Sequence, residues 1–255
     1  MILLLGGCAE SPQLARMLVE CGYSVLFSKM TNLPLSGEGG TGVTVRTGPL
    51  DLAGMTALIR DRKIQAVVDA THPYAEQARQ TAREASRMCG IPCFRFARGV
   101  TEGLEDALRV RTHAEAAKRA FSFGEPVLLT VGTRNIDVYA DEWRRSRTPV
   151  FIRVLPVPES IEACRMAGFP EANILAAKGP FSVEANRATI QRYGIRVLVT
   201  KDGGAAGGMP EKREAARQEN CRVVLIERPF SPDAGYVSMR DLVQALLAQV
   251  SPTRE

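Results

Sequence analysis

The stretch Val67-Val68-Asp69-Ala70-Thr71-His72-Pro73-Tyr74-Ala75 decides the fold. Its two valines end an apolar run that is typical of a buried parallel strand, and the polar residues Asp69, Thr71 and His72 follow at once. Pro73 cannot donate to a sheet ladder but fits the first turn of a helix. Ligands of open α/β sheets bind outside the carboxyl ends of the strands, so this stretch predicts a site.

The residues after the stretch predict a helix over 74–89. Small or apolar side chains recur there at a spacing of three to four, namely Ala75, Ala78, Ala82, Ala85 and Met88. The same stretch also fits a plain helix start, in which Asp69 or Thr71 caps backbone amides and His72 is a turn residue.

Strand and helix signals alternate along the whole chain. Before a linker at 97–109, the pattern predicts strands at 2–5, 23–28, 43–45, 64–69 and 92–96, and helices at 12–21, 51–62 and 74–89. After it, the predicted strands are 127–131, 149–154, 174–177, 197–200 and 223–227, and the helices are 113–121, 158–167, 183–193, 210–219 and 238–249. This predicts two Rossmann-like, doubly wound parallel-sheet domains, 1–99 and 100–255, with a cleft between them. Residues 31–42 predict a loop that could order over a cofactor.

Composition excludes several classes of protein. The chain has 255 residues, 45% of them hydrophobic, and a net charge of +5 spread over both halves. This argues against a nucleic-acid-binding stripe and suits a pocket for an acidic small molecule. No stretch reaches membrane-spanning length, and the first apolar run is too short for a signal peptide. The six cysteines form no C-x-x-C pair, which indicates thiols in a cytoplasmic protein.

A glycine turn, Gly6-Gly7-x-x-Glu10-Ser11, joins the first strand to the first helix. Glycine lets the backbone approach a phosphate, and a helix amino end attracts it, although the full G-x-G-x-x-G pattern is absent. Ser28 and Lys29 end the second strand. Their hydroxyl and ammonium suit a 2′-phosphate, which favours NADPH over NADH; Lys29 also fits a solvated lysine at a loop entrance.

Basic or polar residues follow successive strands of the second half. They are Arg134, Arg153, Lys178 and the pair Lys201-Asp202. Each alone also fits a solvated turn, but together they would line one rim of a sheet and bind a ligand with several carboxylates. The chain has no catalytic triad order, metal-ligand spacing or Walker loop, so a cofactor is expected to supply the chemistry.

Five blocks of sequence together resemble the precorrin-6A reductase family of corrin-ring (vitamin B12) biosynthesis. They are Gly6-Gly7-x-x-Glu10, Asp69-Ala70-Thr71-His72-Pro73-Tyr74-Ala75, Arg153-x-Leu155-Pro156, Lys178-Gly179-Pro180-Phe181-Ser182-x-Glu184-x-Asn186 and Thr200-Lys201-Asp202-x-Gly204. The resemblance covers nearly the whole chain. Two positions depart from the family pattern, Cys8 where threonine or serine is common and Gly203 where serine is usual.

The resemblance implies NADPH-dependent reduction of one double bond of precorrin-6A to give precorrin-6B. An anaerobic branch of the family acts on cobalt-precorrin-6A, and NADH use is described there. Carried over by position, the nucleotide loop would contain Gly6, Gly7, Glu10 and Ser11. Thr71, His72 and Tyr74 would stand at the cleft, with Thr71 and Tyr74 on the cofactor side. The residues facing the tetrapyrrole would be Lys178, Ser182, Lys201 and Asp202.

We assign proton handling, or polarisation of an imine, to Lys201 with Asp202, and substrate positioning to His72. Alternatively, the proton comes from solvent or from the substrate's own acids, and Lys201 only pairs with Asp202. A non-catalytic tetrapyrrole- or nucleotide-binding protein, or a reductase or dehydratase for another acidic substrate, would also explain a basic rim. Other enzymes of the cobalamin pathway are further candidate partners. We expect binding of neither nucleic acid nor a membrane, and no metal site.

Overall fold

The structure is a computed structural model that describes residues 1–7, 9–34, 39–97, 99, 106–229 and 235–252. Cys8 and residues 35–38 of the predicted loop lie outside the described residues. The chain divides into two compact units. The first unit contains Met1–Gly99 and Phe230–Glu255, and the second contains Val100–Pro229.

The elements alternate as the sequence predicts. The described strands are β1 (Ile2–Leu5), β2 (Val25–Lys29), β3 (Val43–Thr47), β4 (Ala66–Asp69), β5 (Cys93–Arg95), β6 (Leu108–Val110), β7 (Val127–Thr130), β8 (Val150–Val154), β9 (Ile174–Ala176), β10 (Val197–Lys201) and β11 (Arg222–Ile226). The described α-helices are α1 (Ser11–Glu20), α2 (Leu52–Asp61), α3 (Glu76–Cys89), α4 (His113–Phe121), α5 (Ile136–Ser146), α6 (Pro158–Met166), α7 (Val183–Arg192), α8 (Met209–Gln218) and α9 (Met239–Gln249).

The first unit is built on a five-stranded parallel sheet in the order β3-β2-β1-β4-β5. Successive residues of β1 face opposite sides. Ile2 and Leu4 pack with α1 and α9, whereas Leu3 and Leu5 pack with α2 and α3. The chain runs outward from β1 to β3 and then crosses back to β4. The loops after β1 and β4 therefore lie at the topological switch point, where open α/β sheets bind ligands.

The C-terminal segment corrects the predicted boundary, because residues 100–255 do not form one domain. The backbone nitrogen of Tyr236 donates to the Arg95 carbonyl at 2.8 Å, which carries the returning chain along the end of β5. Leu242 and Leu246 of α9 are fully buried in the core of the first unit. The periodicity of α9 predicts a helix with one apolar face, but both sheets offer an apolar surface that could receive it.

The second unit contains a six-stranded parallel sheet in the order β6-β11-β10-β7-β8-β9. Leu128, Leu198 and Leu225 pack with α7 and α8, while α4 packs with α5 and contacts β10 and β11. The chain runs outward from β7 to β9 and returns to β10. The switch point of this unit therefore lies after β7 and β10.

Three local features differ from the sequence-based prediction. β6 begins within the predicted linker at 97–109, and α5 was not predicted at all. An edge strand of three residues is too short to show a period. In α5 the buried residues Ile136, Tyr139 and Ala140 are all in the first half, and charged residues dominate the second half. α3 begins at Glu76 rather than at residue 74, so residues 70–75 form a loop at the switch point of the first unit.

Candidate active site

The glycine turn after β1 lies against β2 and the loop after β4. The backbone nitrogen of Gly6 donates to the Ser28 carbonyl at 2.8 Å. A Cβ atom on Gly6 would lie 2.5 Å from Cζ of Phe27, so only glycine fits there. A Cβ on Gly7 would lie 3.8 Å from the backbone nitrogen of His72, which shows that the two switch-point loops are adjacent.

The amino end of α1 is tied to the same place. Ser11 is fully buried, and its hydroxyl donates to the Ala70 carbonyl at 3.3 Å. The Ala70 nitrogen in turn donates to the Leu5 carbonyl at 2.9 Å. In the described part of the chain, the Glu10 side chain makes no capping hydrogen bond to α1. The first amides of α1 thus form a potential anion-binding end.

Asp69 shapes the loop after β4. Its Oδ1 atom accepts from the Thr71 backbone nitrogen at 3.0 Å and from the Thr71 hydroxyl at 2.6 Å. Arg79 of α3 lies 3.9 Å from Asp69 Oδ2 through Nε, and its Nη2 donates to the Pro73 carbonyl at 2.6 Å. Both charged side chains are buried. Asp69 and Arg79 therefore hold the loop rather than present a charge to a ligand.

His72 and Tyr74 project from this loop and are both half-buried. The Tyr74 backbone nitrogen donates to His72 Nδ1 at 3.4 Å, and the two ring centres are 5.5 Å apart. The Ala75 nitrogen donates to the His72 carbonyl at 2.8 Å. Two side chains that sequence analysis placed at the site are thus neighbours at the switch point.

Two predicted residues end β2, and a residue of β3 that sequence analysis missed lies beside them. Ser28 and Lys29 are both buried. Lys29 Nζ donates to the Leu33 carbonyl at 2.8 Å. Arg46, on the neighbouring strand β3, donates from Nη1 to the Ser28 hydroxyl oxygen at 3.2 Å. The sheet therefore places a second cation beside the predicted Ser28-Lys29 pair.

In the second unit, Lys201 ends β10 at the switch point. Burial and, to a smaller extent, the charge of Arg134 lower the pKa of Lys201 to about 8. Burial and then the charge of Lys201 lower the pKa of His113 to about 4, so His113 is neutral at pH 7. His113 Nδ1 lies 2.9 Å from the Tyr139 hydroxyl, and burial raises the pKa of Tyr139. The structure thus brings together Lys201, Arg134 and an unpredicted histidine.

Asp202 is buried and paired with Arg228, which follows β11. Arg228 Nε lies 2.9 Å from Asp202 Oδ2, and Arg228 Nη2 donates to Oδ1 at 3.1 Å. Oδ1 also accepts from the Gly204 backbone nitrogen at 3.0 Å. The carboxylate therefore fixes the turn directly after Lys201.

Arg153, near the end of β8, is only 8% exposed. Its Nη1 donates to Asn186 Oδ1 at 2.7 Å, and its Cζ lies 4.3 Å from the centre of the Phe181 ring. Burial lowers the pKa of Arg153 to about 10. Asn186 in turn donates from Nδ2 to the Ser182 carbonyl at 2.9 Å. A buried cation is thus tied to the loop that precedes α7.

The remaining predicted residues of the basic rim are less enclosed. Arg134 and Lys178 are exposed. Ser182 is the N-cap of α7, and its hydroxyl oxygen accepts from the Ala185 nitrogen at 3.2 Å. Ser182 therefore has a structural role that does not require a ligand.

Comparison with known proteins gives the family. The family model described as precorrin-6x reductase CbiJ/CobK matches residues 1–248 of this chain. The chain belongs to the precorrin-6x reductase family. Two named relatives support this membership, and one solved structure shares the fold.

A cobalt-precorrin-6A reductase of Priestia megaterium is 32% identical over 252 residues, which cover 98% of this chain and 99% of the relative. A precorrin-6A reductase of Rhodococcus erythropolis is 31% identical over 241 residues, covering 91% of each chain. A solved structure of CobK precorrin-6A reductase matches with a TM-score of 0.81 at 24% identity, covering 100% of this chain and 99% of that one. The solved structure supports the two-sheet α/β fold predicted from the sequence.

Sequence analysis of this reductase missed four charged or titratable residues near the strand ends, namely Arg46, His113, Lys212 and Arg228. His113 follows β6, which was assigned to the linker, so its position at a strand end was hidden. Arg46 is opposite Ser28 in the β2–β3 register and could have been found by aligning the two strands.

Two other features are absent from the described ranges. No group of three or more His, Cys, Asp or Glu side chains there is placed to hold a metal ion. Likewise, no helix in the part of the chain that the structure describes is both long and apolar enough to cross a membrane.

Proposed function

We propose that this protein reduces precorrin-6A, or its cobalt-containing form, to precorrin-6B with NADPH as the electron donor. The observation that carries the proposal is the pair of switch points: a glycine turn at a helix amino end in one unit and buried cations in the other. Membership in a reductase family supports it. We assign the reaction to the cytoplasm, since none of the five cysteines that the structure describes forms a disulfide.

The first unit fits a dinucleotide. Gly6 and Gly7 have no side chains that would cover the backbone near the amino end of α1, where Glu10 and Ser11 lie. A diphosphate is bound by backbone N–H donors of this kind. NADPH, when bound, supplies the hydride. Thr71, His72 and Tyr74 then serve to orient the nucleotide and the substrate.

The end of β2 supports NADPH over NADH. A 2′-phosphate is strongly anionic and is bound best by charge-assisted hydrogen bonds. Lys29 lies beside Ser28, whose hydroxyl already accepts from Arg46. An NADH-specific site of this fold usually carries an acidic residue at that position instead.

The second unit fits the substrate. Precorrin-6A carries many carboxylate side chains, and guanidinium and ammonium groups pair with carboxylates. We assign their recognition to Arg134, Arg153 and Lys178, with Ser182 at the start of α7. Arg134 and Lys178 are exposed and suit the outer carboxylates, whereas the buried Arg153 suits one that is withdrawn from water.

Lys201 is the proton donor of the proposal. Reduction adds a hydride to one end of a double bond and a proton to the other. Because the pKa of Lys201 is about 8, the ammonium is populated at neutral pH and still gives up its proton readily. Asp202 acts as a positioning residue, since its carboxylate is bound by Arg228 and holds the turn after Lys201.

The proposal is tested by anaerobic incubation of the purified protein with precorrin-6A and NADPH. We expect loss of NADPH absorbance and a product heavier by two hydrogens. Parallel reactions with cobalt-precorrin-6A and with NADH identify the preferred substrate and donor. A protein that binds the pigment without oxidising either nucleotide would instead be a tetrapyrrole carrier.

A further inference from the structure

Four segments of the second unit converge beside Arg153. A Cβ atom on Gly208, the residue before α8, would lie 3.3 Å from Cβ of Pro180. The next residue of that loop, Phe181, stacks on Arg153, and Arg153 is bonded to Asn186 of α7. The amino end of α8, the loop before α7, α7 itself and the end of β8 therefore enclose one small region.

Arg153 has an unused donor in this region. Its Nη1 atom is bonded to Asn186, but its Nη2 atom is buried and has no hydrogen-bond partner. Buried guanidinium groups normally satisfy their donors, because the lost hydration of a charged N–H is not otherwise replaced. Only 8% of the residue is exposed, so this donor is withdrawn from the bulk solvent.

Lys212 is a second cation of this region, and its position disfavours positive charge. It lies in the first turn of α8, beside the partial positive charge of the helix amino end. Its Nζ donates to the Gly207 carbonyl at 3.3 Å. Burial, followed by the charges of Arg153 and Lys201, lowers the pKa of Lys212 to about 8, although Glu211 acts in the opposite direction. Arg153 and Lys201 therefore both disfavour the charged form of Lys212.

An acidic ligand would relieve this arrangement. A carboxylate has two oxygens that can accept from two cationic donors at once, and its charge offsets the repulsion between them. Places where like charges lie near one another, or where a buried donor lacks a hydrogen bond, are expected to be functional sites. One carboxylate is already near these segments, since Glu211 Oε2 is buried without a hydrogen-bond partner and would lie 3.8 Å from a Cβ atom on Gly208. It does not supply a hydrogen bond to Arg153 Nη2.

We propose that Arg153, through Nη2, and Lys212, through Nζ, together bind one carboxylate side chain of the substrate. Lys212 is thereby a specificity-determining residue for polycarboxylate tetrapyrroles. The Phe181 ring lies over the same guanidinium, with Arg153 Cζ 4.3 Å from the ring centre. The identity of the substrate rests on the proposed function, but carboxylate recognition by this pair can be measured without turnover.

The test is a binding titration of the full-length protein with uroporphyrin, followed by fluorescence. Uroporphyrin is a tetrapyrrole polycarboxylate, and its methyl ester has the same ring without the charges. In Lys212→Met we expect uroporphyrin to bind about 10–100-fold more weakly, as for loss of one charged hydrogen bond, and the ester to bind unchanged. Lys212→Arg should restore most of the binding, and Lys118→Met, which removes an exposed lysine of α4, should bind as the wild type does.

Thermal unfolding separates this role from a structural one. A lysine that only supported α8 would lower Tm when replaced, whereas removal of a repelling cation should leave Tm unchanged or raise it. Wild-type affinity for uroporphyrin in Lys212→Met, or equal losses for uroporphyrin and its ester, would overturn the proposal.

Turnover distinguishes this inference from the proposed function. With precorrin-6A, Lys212→Met should raise KM and leave kcat unchanged. If the wild type binds uroporphyrin but does not oxidise NADPH with precorrin-6A, the reductase proposal fails and the carboxylate site stands. If the wild type reduces precorrin-6A and Lys212→Met does so with an unchanged KM, the carboxylate site fails and the reductase proposal stands.

Discussion

The two switch points have the same position in their sheets but opposite electrostatic character. In the first unit, the buried carboxylate of Asp69 is bound within its own loop, with Arg79 beside it, and glycine exposes backbone nearby. In the second unit, Lys201 is half-buried, and partial burial together with the charge of Arg134 lowers its pKa to about 8. One topology therefore supports two binding chemistries, because the topology fixes where the strand ends lie and the side chains there decide what can bind.

Both sites contain a buried guanidinium nitrogen that has no hydrogen-bond partner. In the first unit it is Nε of Arg79, which lies 3.9 Å from Asp69 Oδ2, so an opposite charge is nearby. In the second unit it is Nη2 of Arg153, and the charge of Arg153 acts on the cation Lys212, while Asp202 pairs with Arg228. The first site suits a nucleotide that is bound largely by backbone, and the second suits an acidic ligand that is bound by side chains.

The largest expected effect is on chemistry at Lys201. Lys201→Met should lower kcat by about 10²–10⁴-fold, the usual contribution of a general acid, while the affinity for NADPH stays at the wild-type value. Single-turnover kinetics and nucleotide titration measure the two quantities separately. Lys118→Met is the matched control on the surface of the same unit. An increase in KM with unchanged kcat would show that Lys201 binds substrate only and donates no proton.

The next largest effect is on the free energy of unfolding, which should depend differently on the two buried ion pairs. Arg228→Met removes the cation that balances the buried Asp202 carboxylate and should lower the free energy of unfolding by about 3–5 kcal/mol. Arg79→Met should cost less, about 1–3 kcal/mol, because Arg79 lies 3.9 Å from Asp69 and its closest bond is to the Pro73 carbonyl. Urea denaturation of both variants measures the difference. Equal losses would mean that the two turns depend on their arginines to the same extent.

A smaller effect is expected on nucleotide preference. Replacement of Lys29 by methionine should weaken NADPH binding about 10–30-fold and leave NADH binding unchanged, because only the former carries the 2′-phosphate. Arg46→Met should act in the same direction. Fluorescence titration with both nucleotides gives the ratio. Equal weakening for both would assign Lys29 to the structure of the loop, where it already donates to the Leu33 carbonyl.

The smallest effect is on pH dependence in the second unit. The pKa values of Lys201 and Lys212 are lowered to about 8, so kcat/KM should fall as the pH rises above about 8 and these ammonium groups lose their protons. Stability should change with the opposite sign. Between about pH 8 and the unfolded value of about 10.5, the unfolded state binds more protons, so the free energy of unfolding should rise with pH.

The double variant Lys201→Met/Lys212→Met provides the control for this pH dependence. In this variant, the free energy of unfolding should no longer rise between about pH 8 and pH 10.5, and kcat/KM should no longer fall above about pH 8. Guanidine denaturation across this pH range checks the first expectation. A wild-type free energy of unfolding that falls over the same range would contradict the placement of these two lysines.

Much of the fold followed from the sequence, and some of the site did as well. Apolar runs and glycine breaks predicted ten of the eleven described strands and eight of the nine described α-helices. The linker assignment hid β6, and with it the position of His113. The loop of residues 70–75 was predicted two residues too short, because Pro73 fits a helix start as well as a turn.

The sequence by itself determined the fold class, the glycine turn at Gly6 and the polar residues that end each strand, because periodicity and turn chemistry are local properties of the chain. Only the tertiary structure decided that α9 joins the first unit and that Asp202 pairs with Arg228. It also decided that the charge of Arg153 lowers the pKa of Lys212. These contacts depend on strand order and helix packing, which bring together residues that are distant along the chain.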